Sequence, residues 1–129
     1  MITPKKVLIL DPSAIFRKTL KDVIQTSETR VEVKEADSAA QAQAILKTDS
    51  MDVIFYDIAL PRENGIAFIA SIKAMLPESR IVVLTSHDSA EYEAAAIDNG
   101  ADFFLSKERS GGLRLIDVIH SALRRNGRA

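Results

Sequence analysis

Polar residues able to do chemistry stand directly after short apolar runs. Asp11 follows Val7–Leu10, and Asp57 follows Val53–Tyr56. Thr85, Ser86 and His87 follow Ile81–Leu84, and Ser106 and Lys107 follow Phe103–Leu105. Two acids brought close together repel and resist ionisation unless a cation sits between them. A hard divalent ion, usually magnesium, fits a set of carboxylate, backbone carbonyl and water oxygens. An aspartate beside such an ion can attack phosphorus, and a lysine and a hydroxyl can then bind the phosphoryl oxygens.

That chemistry requires elements that bring these residues to one place. The four apolar runs are unbroken, as expected of strands buried on both faces of a parallel sheet. Val31-Glu32-Val33-Lys34 alternates instead, which predicts an edge strand. Helical stripes separate the runs: Phe16, Leu20, Val23, Ile24 and Ser27; Ala39, Ala42, Ile45 and Leu46; Ile66, Ile69, Ile72, Lys73 and Leu76; and Ile116, Ile119, Ala122 and Leu123. The segment 90–99 is alanine-rich and ends before Gly100, a suitable residue just past a helix C-terminus. Ser13, Ser38 and Ser89 are candidate helix N-caps. The order is β-α repeated five times, which demands parallel strands with right-handed crossovers. In such sheets the strand C-termini open on one rim, and ligands bind there.

The chain has 129 residues, 47% hydrophobic and 27% charged, with a net charge of −1 and no cysteine. This is ordinary globular composition, enough for one domain filling residues 1–129 with its core in about 5–125. Its charge balance gives no reason to expect nucleic acid or an anionic membrane as partner. Without cysteine there is no disulfide framework, thiolate zinc site or cysteine nucleophile. No apolar run approaches the roughly 20 residues that span a bilayer, and "MITPKKVLIL" lacks signal-peptide features, so a cytoplasmic location is expected.

Four segments together carry a resemblance: "VLILD" ending in Asp11, "DVIFYDIALPRENG" around Asp57, "VVLTS" with Thr85, and "GADFFLSK" ending in Lys107. The chain resembles a response-regulator receiver domain of two-component signalling, of the single-domain chemotaxis-regulator type. The resemblance implies a flavodoxin-like, doubly wound α/β fold with five strands in the order 2-1-3-4-5 and five helices. It implies that Asp57 accepts phosphate from a phosphohistidine on a sensor histidine kinase or phosphotransfer protein. Asp11, Asp57 and the Ala59 carbonyl would hold magnesium. Lys107 and Thr85 would contact the phosphoryl group, and Thr85 with Phe104 would form the switch that alters a face for a downstream protein target. Such a domain catalyses only its own phosphorylation and dephosphorylation.

Three positions depart from the family pattern. Pro12 stands where a second acid usually follows Asp11, so magnesium should bind more weakly, by at least about tenfold. Glu63 or Glu108 could compensate. Glu108 also replaces a proline that often follows the lysine through a cis bond, so a trans bond is expected here, since cis costs about 3–4 kcal/mol before other residues. Phe104 replaces a tyrosine and has no hydroxyl.

Blander roles compete. Asp11 before Pro12 could be only a turn; Pro61 and Gly65 read as loop geometry. His87 is expected in an exposed loop, modulating access to the rim, and His120 on a helix surface. Arg124, Arg125 and Arg128 complement a helix dipole, and Ala94–Ala96 suits close helix packing. The main functional alternative is a pseudo-receiver, a phosphorylation-independent protein-interaction module made so by Pro12. A hydrolase of external phosphate esters is disfavoured because Asp57-Ile58-Ala59 lacks a second acid. A flavin site is disfavoured because no glycine- or hydroxyl-rich loop follows the first run.

Overall fold

Three of the unbroken apolar runs are central strands and the fourth, Phe103–Leu105, is an edge strand; their alternate side chains enter two different cores. A computed structural model of the chain describes residues 3–28, 30–60 and 64–124. Pro61, Glu63, Arg125 and Arg128 lie outside the described residues. The strands are β1 (Lys5–Leu10), β2 (Val31–Ala36), β3 (Val53–Tyr56), β4 (Arg80–Thr85) and β5 (Phe103–Ser106). The helices are α1 (Ala14–Ser27), α2 (Ala39–Thr48), α3 (Gly65–Met75), α4 (Ala90–Asp98) and α5 (Gly112–Leu123). All strand pairs are parallel and the order is β2-β1-β3-β4-β5. This is the flavodoxin-like, doubly wound arrangement, with the alternating strand at an edge. Thr85 and Ser106 are the last residues of β4 and β5 rather than the first residues beyond them.

Residues two apart on a strand share a face. Leu8, Leu10, Ile54, Tyr56, Ile81 and Val83 pack with α2, α3 and Ala96 of α4. Val7, Ile9, Val53, Phe55, Val82 and Leu84 pack with α1 and α5 on the other face. Phe68 and Val118 join the helical stripes, both buried. Of the alanine run in α4, Ala96 is buried but Ala94 is exposed, so only part of it packs.

The helix starts are set by side chains that accept from otherwise orphaned amides. Ser13, Ser38 and Ser89 accept from Phe16, Gln41 and Tyr92 at 3.1, 3.2 and 3.2 Å, and Asn64 accepts from Ala67 at 3.1 Å. Gly100 follows the α4 C-cap with φ of 117°, a left-handed conformation that suits glycine. Gly65 is required for space. A Cβ there would lie 1.9 Å from the Ile58 carbonyl oxygen, while the Gly65 carbonyl accepts from the Tyr56 hydroxyl at 2.7 Å.

Candidate functional site

The sheet's order reverses between β1 and β3, and Asp11 and Asp57 follow those two strands. Such a reversal opens the crevice in which doubly wound proteins bind ligands. Three strand ends, those of β1, β3 and β5, are fixed one residue beyond their ladders. The Asp11 amide donates to Ala36, the Asp57 amide to Leu10 and the Lys107 amide to Thr85, at 3.0, 3.0 and 2.9 Å.

Four side chains converge at this rim. The Lys107 Nζ donates to Asp11 Oδ2 at 2.7 Å and to Asp57 Oδ2 at 2.9 Å. The Thr85 hydroxyl donates to Asp57 Oδ1 at 2.6 Å and accepts from the His87 amide at 3.1 Å. The Ala59 amide also donates to Asp57 Oδ1, at 2.9 Å, folding the loop after β3 back over the carboxylate. Asp11, Asp57 and Thr85 are 2%, 6% and 0% exposed, so both acids are desolvated yet fully engaged. Asp11 serves the turn as well, since its Oδ1 accepts from the Ser13 amide at 2.8 Å. The exposed Pro12 spans that turn and brings no carboxylate to it.

Burial pulls the Lys107 pKa down, but its hydrogen bonds to Asp11 and Asp57 outweigh this and hold it above the ordinary lysine value. The ammonium stays charged at neutral pH. It still balances only one of two carboxylates, so the rim keeps a formal negative charge, a donor set that suits a further cation. Among the described residues no three acidic or imidazole groups gather at one point. A divalent ion here would therefore rest on Asp11, Asp57 and backbone or water oxygens.

Other rim residues turn away from the carboxylates. Ser86 donates to Glu108 at 2.8 Å, so Glu108 is engaged at the surface and does not stand in for the missing acid. The Lys107–Glu108 bond is trans, as expected. His87 is exposed, with its ring 5.4 Å from that of Tyr92. The Ser106 hydroxyl donates to Asp88, which also pairs with Arg109 at 3.2 Å. Phe104 is half-buried against the core that contains Ala96 of α4. His120 is exposed on α5, and Arg124 is that helix's C-cap.

Three contributors escaped sequence reasoning. Arg17 donates to the Asp11 carbonyl at 2.6 Å and pairs with Glu35 at 2.9 Å. The Phe16 ring lies under Lys107 Nζ, 4.0 Å from its centroid. The Asp88–Arg109 pair ties the loop before α4 to the loop after β5. Phe16 and Arg17 sit on a helix whose periodicity reports only which side faces the core. Spacing gives no signal for the loop pair.

An ammonium and a hydroxyl thus meet the two oxygens of one buried carboxylate. The profile described as the response regulator receiver domain matches residues 7–119. Chemotaxis protein CheY of Bacillus subtilis is 30% identical over 118 residues, covering 92% of this chain and 97% of that protein. The transcriptional regulatory protein YxjL of Bacillus subtilis is 32% identical, covering 92% of this chain but 54% of its own length. A protein-glutamate methylesterase/glutaminase of Rhizobium johnstonii is 32% identical over 88% of this chain and 33% of the relative. The chain thus spans between a third and about half of these two longer relatives. A response regulator from Burkholderia pseudomallei, whose crystal structure has a phosphorylated aspartic acid, a calcium ion and citrate, superposes with a TM-score of 0.79 at 26% identity, covering 95% of this chain and 68% of that one. A CheY-like receiver domain from Methanospirillum hungatei superposes with a TM-score of 0.83 over 93% of this chain and 94% of its own, at 21% identity, a likeness of fold. No described helix is long and apolar enough to cross a membrane. With a profile match over most of its length and a full-length relative at 30% identity, the chain belongs to the response regulator receiver domain family.

Proposed function

We propose that the chain is a phosphoacceptor switch of a cytoplasmic two-component phosphorelay, with Asp57 as the acceptor. The observation that carries this reading is the convergence of Lys107 and Thr85 on opposite oxygens of a single buried carboxylate. A phosphohistidine on a sensor kinase or phosphotransfer protein is the donor. An Asp57 oxygen bonds to phosphorus as the nitrogen–phosphorus bond breaks, and the imidazole leaves with that electron pair and takes a proton from water. Lys107 and the Thr85 hydroxyl then face the new phosphoryl oxygens. Asp11, Asp57 and the Ala59 carbonyl would hold magnesium, which would supply positive charge against the phosphoryl oxygens.

Once Thr85 turns its hydroxyl from Asp57 to the phosphoryl group, the residue pulls on the end of β4. Phe104, partly buried on β5 opposite Val83, two residues before Thr85, repacks against α4. Thr85 and Phe104 thereby bias two packings of the β4 to α5 region, and a downstream protein reads the difference. The domain turns over only its own phosphate.

A second reading has one observation in its favour: Pro12 occupies the turn beside Asp11, and Lys107 already bonds both acids. On that reading the chain is a protein-binding module indifferent to phosphate. Mass spectrometry after incubation with acetyl phosphate, with and without magnesium, decides between them. The expected result is one phosphoryl adduct in the wild type, dependent on magnesium and lost in Asp57→Ala. A Pro12→Asp variant should bind magnesium roughly tenfold more tightly by calorimetry and phosphorylate faster. A wild-type chain that stays unmodified under all conditions, while Pro12→Asp reacts, establishes the second reading.

A further inference from the structure

Phe16 belongs to the apolar stripe of α1, yet it is only half-buried and its ring is shared with the candidate site. The Ser13 hydroxyl accepts from the Phe16 amide at 3.1 Å, so the N-cap of α1 fixes where that ring stands. Lys107 Nζ lies 4.0 Å from the ring centroid, well inside cation–π range. The same ammonium bonds Asp11 and Asp57 at 2.7 and 2.9 Å, and the lysine side chain is left 15% exposed. An ammonium has three donors. Two carboxylates and one aromatic face are thus its neighbours.

We propose that Phe16 is a positioning residue for the phosphoryl chemistry, its ring face holding the Lys107 ammonium against the Asp11–Asp57 pair. A lysine stem has four flexible carbons and loses much rotamer freedom when fixed. The two carboxylates attract the charge but allow it to slide between them and solvent; the ring gives it a third, directional neighbour. A leucine at residue 16 would fill similar volume in the core but offer no negative π-face. The kinetic part of this inference rests on the proposed phosphoacceptor role, and the structural part does not.

Two measurements test it. In isotope-labelled wild-type protein the ring current of Phe16 should shift the Lys107 ε-methylene protons upfield. In Phe16→Leu they should return to the position of an exposed lysine such as Lys18, while Phe16→Tyr keeps the shift. With acetyl phosphate and magnesium as probe, Phe16→Leu should slow phosphorylation about three- to tenfold, and Phe16→Tyr should restore the rate. Phe16→Met serves in place of the leucine variant should that variant fail to fold. An unchanged ε-methylene shift in Phe16→Leu overturns the proposal. So does a wild-type rate in that variant, or equal slowing in the leucine and tyrosine variants, which assigns the effect to packing. A wild type that takes no phosphate at all defeats the phosphoacceptor reading instead, and the proton shift still decides whether Phe16 holds the lysine.

Discussion

Lys107 is shared between two buried acids, and this fixes how substitutions at the rim should behave. Removing it leaves Asp11 and Asp57 facing each other without the ammonium that bonds both. Breaking a buried pair from one side is strongly destabilising, so Lys107→Met should cost about 3 kcal/mol in urea unfolding. Neutralising one acid has the opposite logic. With Asp57→Asn a single carboxylate meets a single ammonium, and the excess negative charge is gone. That variant should be at least as stable as the wild type although it has lost the proposed acceptor. A parallel fall in both variants would show that the excess charge does not govern the rim's stability.

At the scale of elements, two connections carry the site. The first is the entry to α3, where the loop after β3 must pass close under Gly65. The carbonyl of Ile58 leaves no space for a Cβ, and main chain rather than a flexible side chain would have to shift to make room. Gly65→Ala should therefore cost about 3 kcal/mol, the upper end for overpacking, and should show as a lower midpoint in thermal or urea unfolding. The second is the tie between the loops after β4 and β5. The Ser106 hydroxyl holds the Asp88 carboxyl below the usual carboxylate range; partial burial opposes this, and the Arg109 guanidinium reinforces it. A depressed carboxyl contributes stability that is fully present above its unfolded pKa of about 3.9 and is lost as pH falls through the folded value. Urea midpoints followed downward from about pH 4 should thus decline less steeply in Asp88→Asn than in the wild type. Equal slopes would remove Asp88 from the acid response.

For the whole molecule, the parallel sheet and its two cores follow from hydrophobic patterning that is plain in the sequence. The unbroken run Val53–Tyr56 is central and the alternating Val31–Lys34 segment is an edge, because burial on one or two faces leaves different patterns; the unbroken run Phe103–Leu105 is the other edge, which its pattern did not reveal. Asp11, Asp57, Thr85 and Lys107 were legible for a related reason: strand ends in one parallel sheet share a rim. What periodicity does not encode is the direction of a side chain once the chain leaves a regular element. Asp88 and Arg109 pair across two loops whose relative placement depends on the finished sheet. Phe16 was legible as a core residue but not as a neighbour of Lys107, ninety-one positions later in the chain. The strand order itself came from family likeness, since five β-α units can be wound in more than one sequence.

The outer margin of β2 has a consequence for the molecule in company. Among the described residues β2 bonds only to β1, so its far side presents main-chain donors and acceptors to passing copies. Glu32, Lys34 and Glu35 stand exposed along it, and Lys34 is drawn to Asp49. Charged side chains on a free margin discourage strand-by-strand recruitment of neighbours. Glu32→Val with Lys34→Val would convert this margin into a run of four valines. Light scattering of that double variant at high concentration should reveal assemblies that the parent does not form. The alternating charges of β2 thus act as a selvedge, keeping each copy from fraying into fibres with the next.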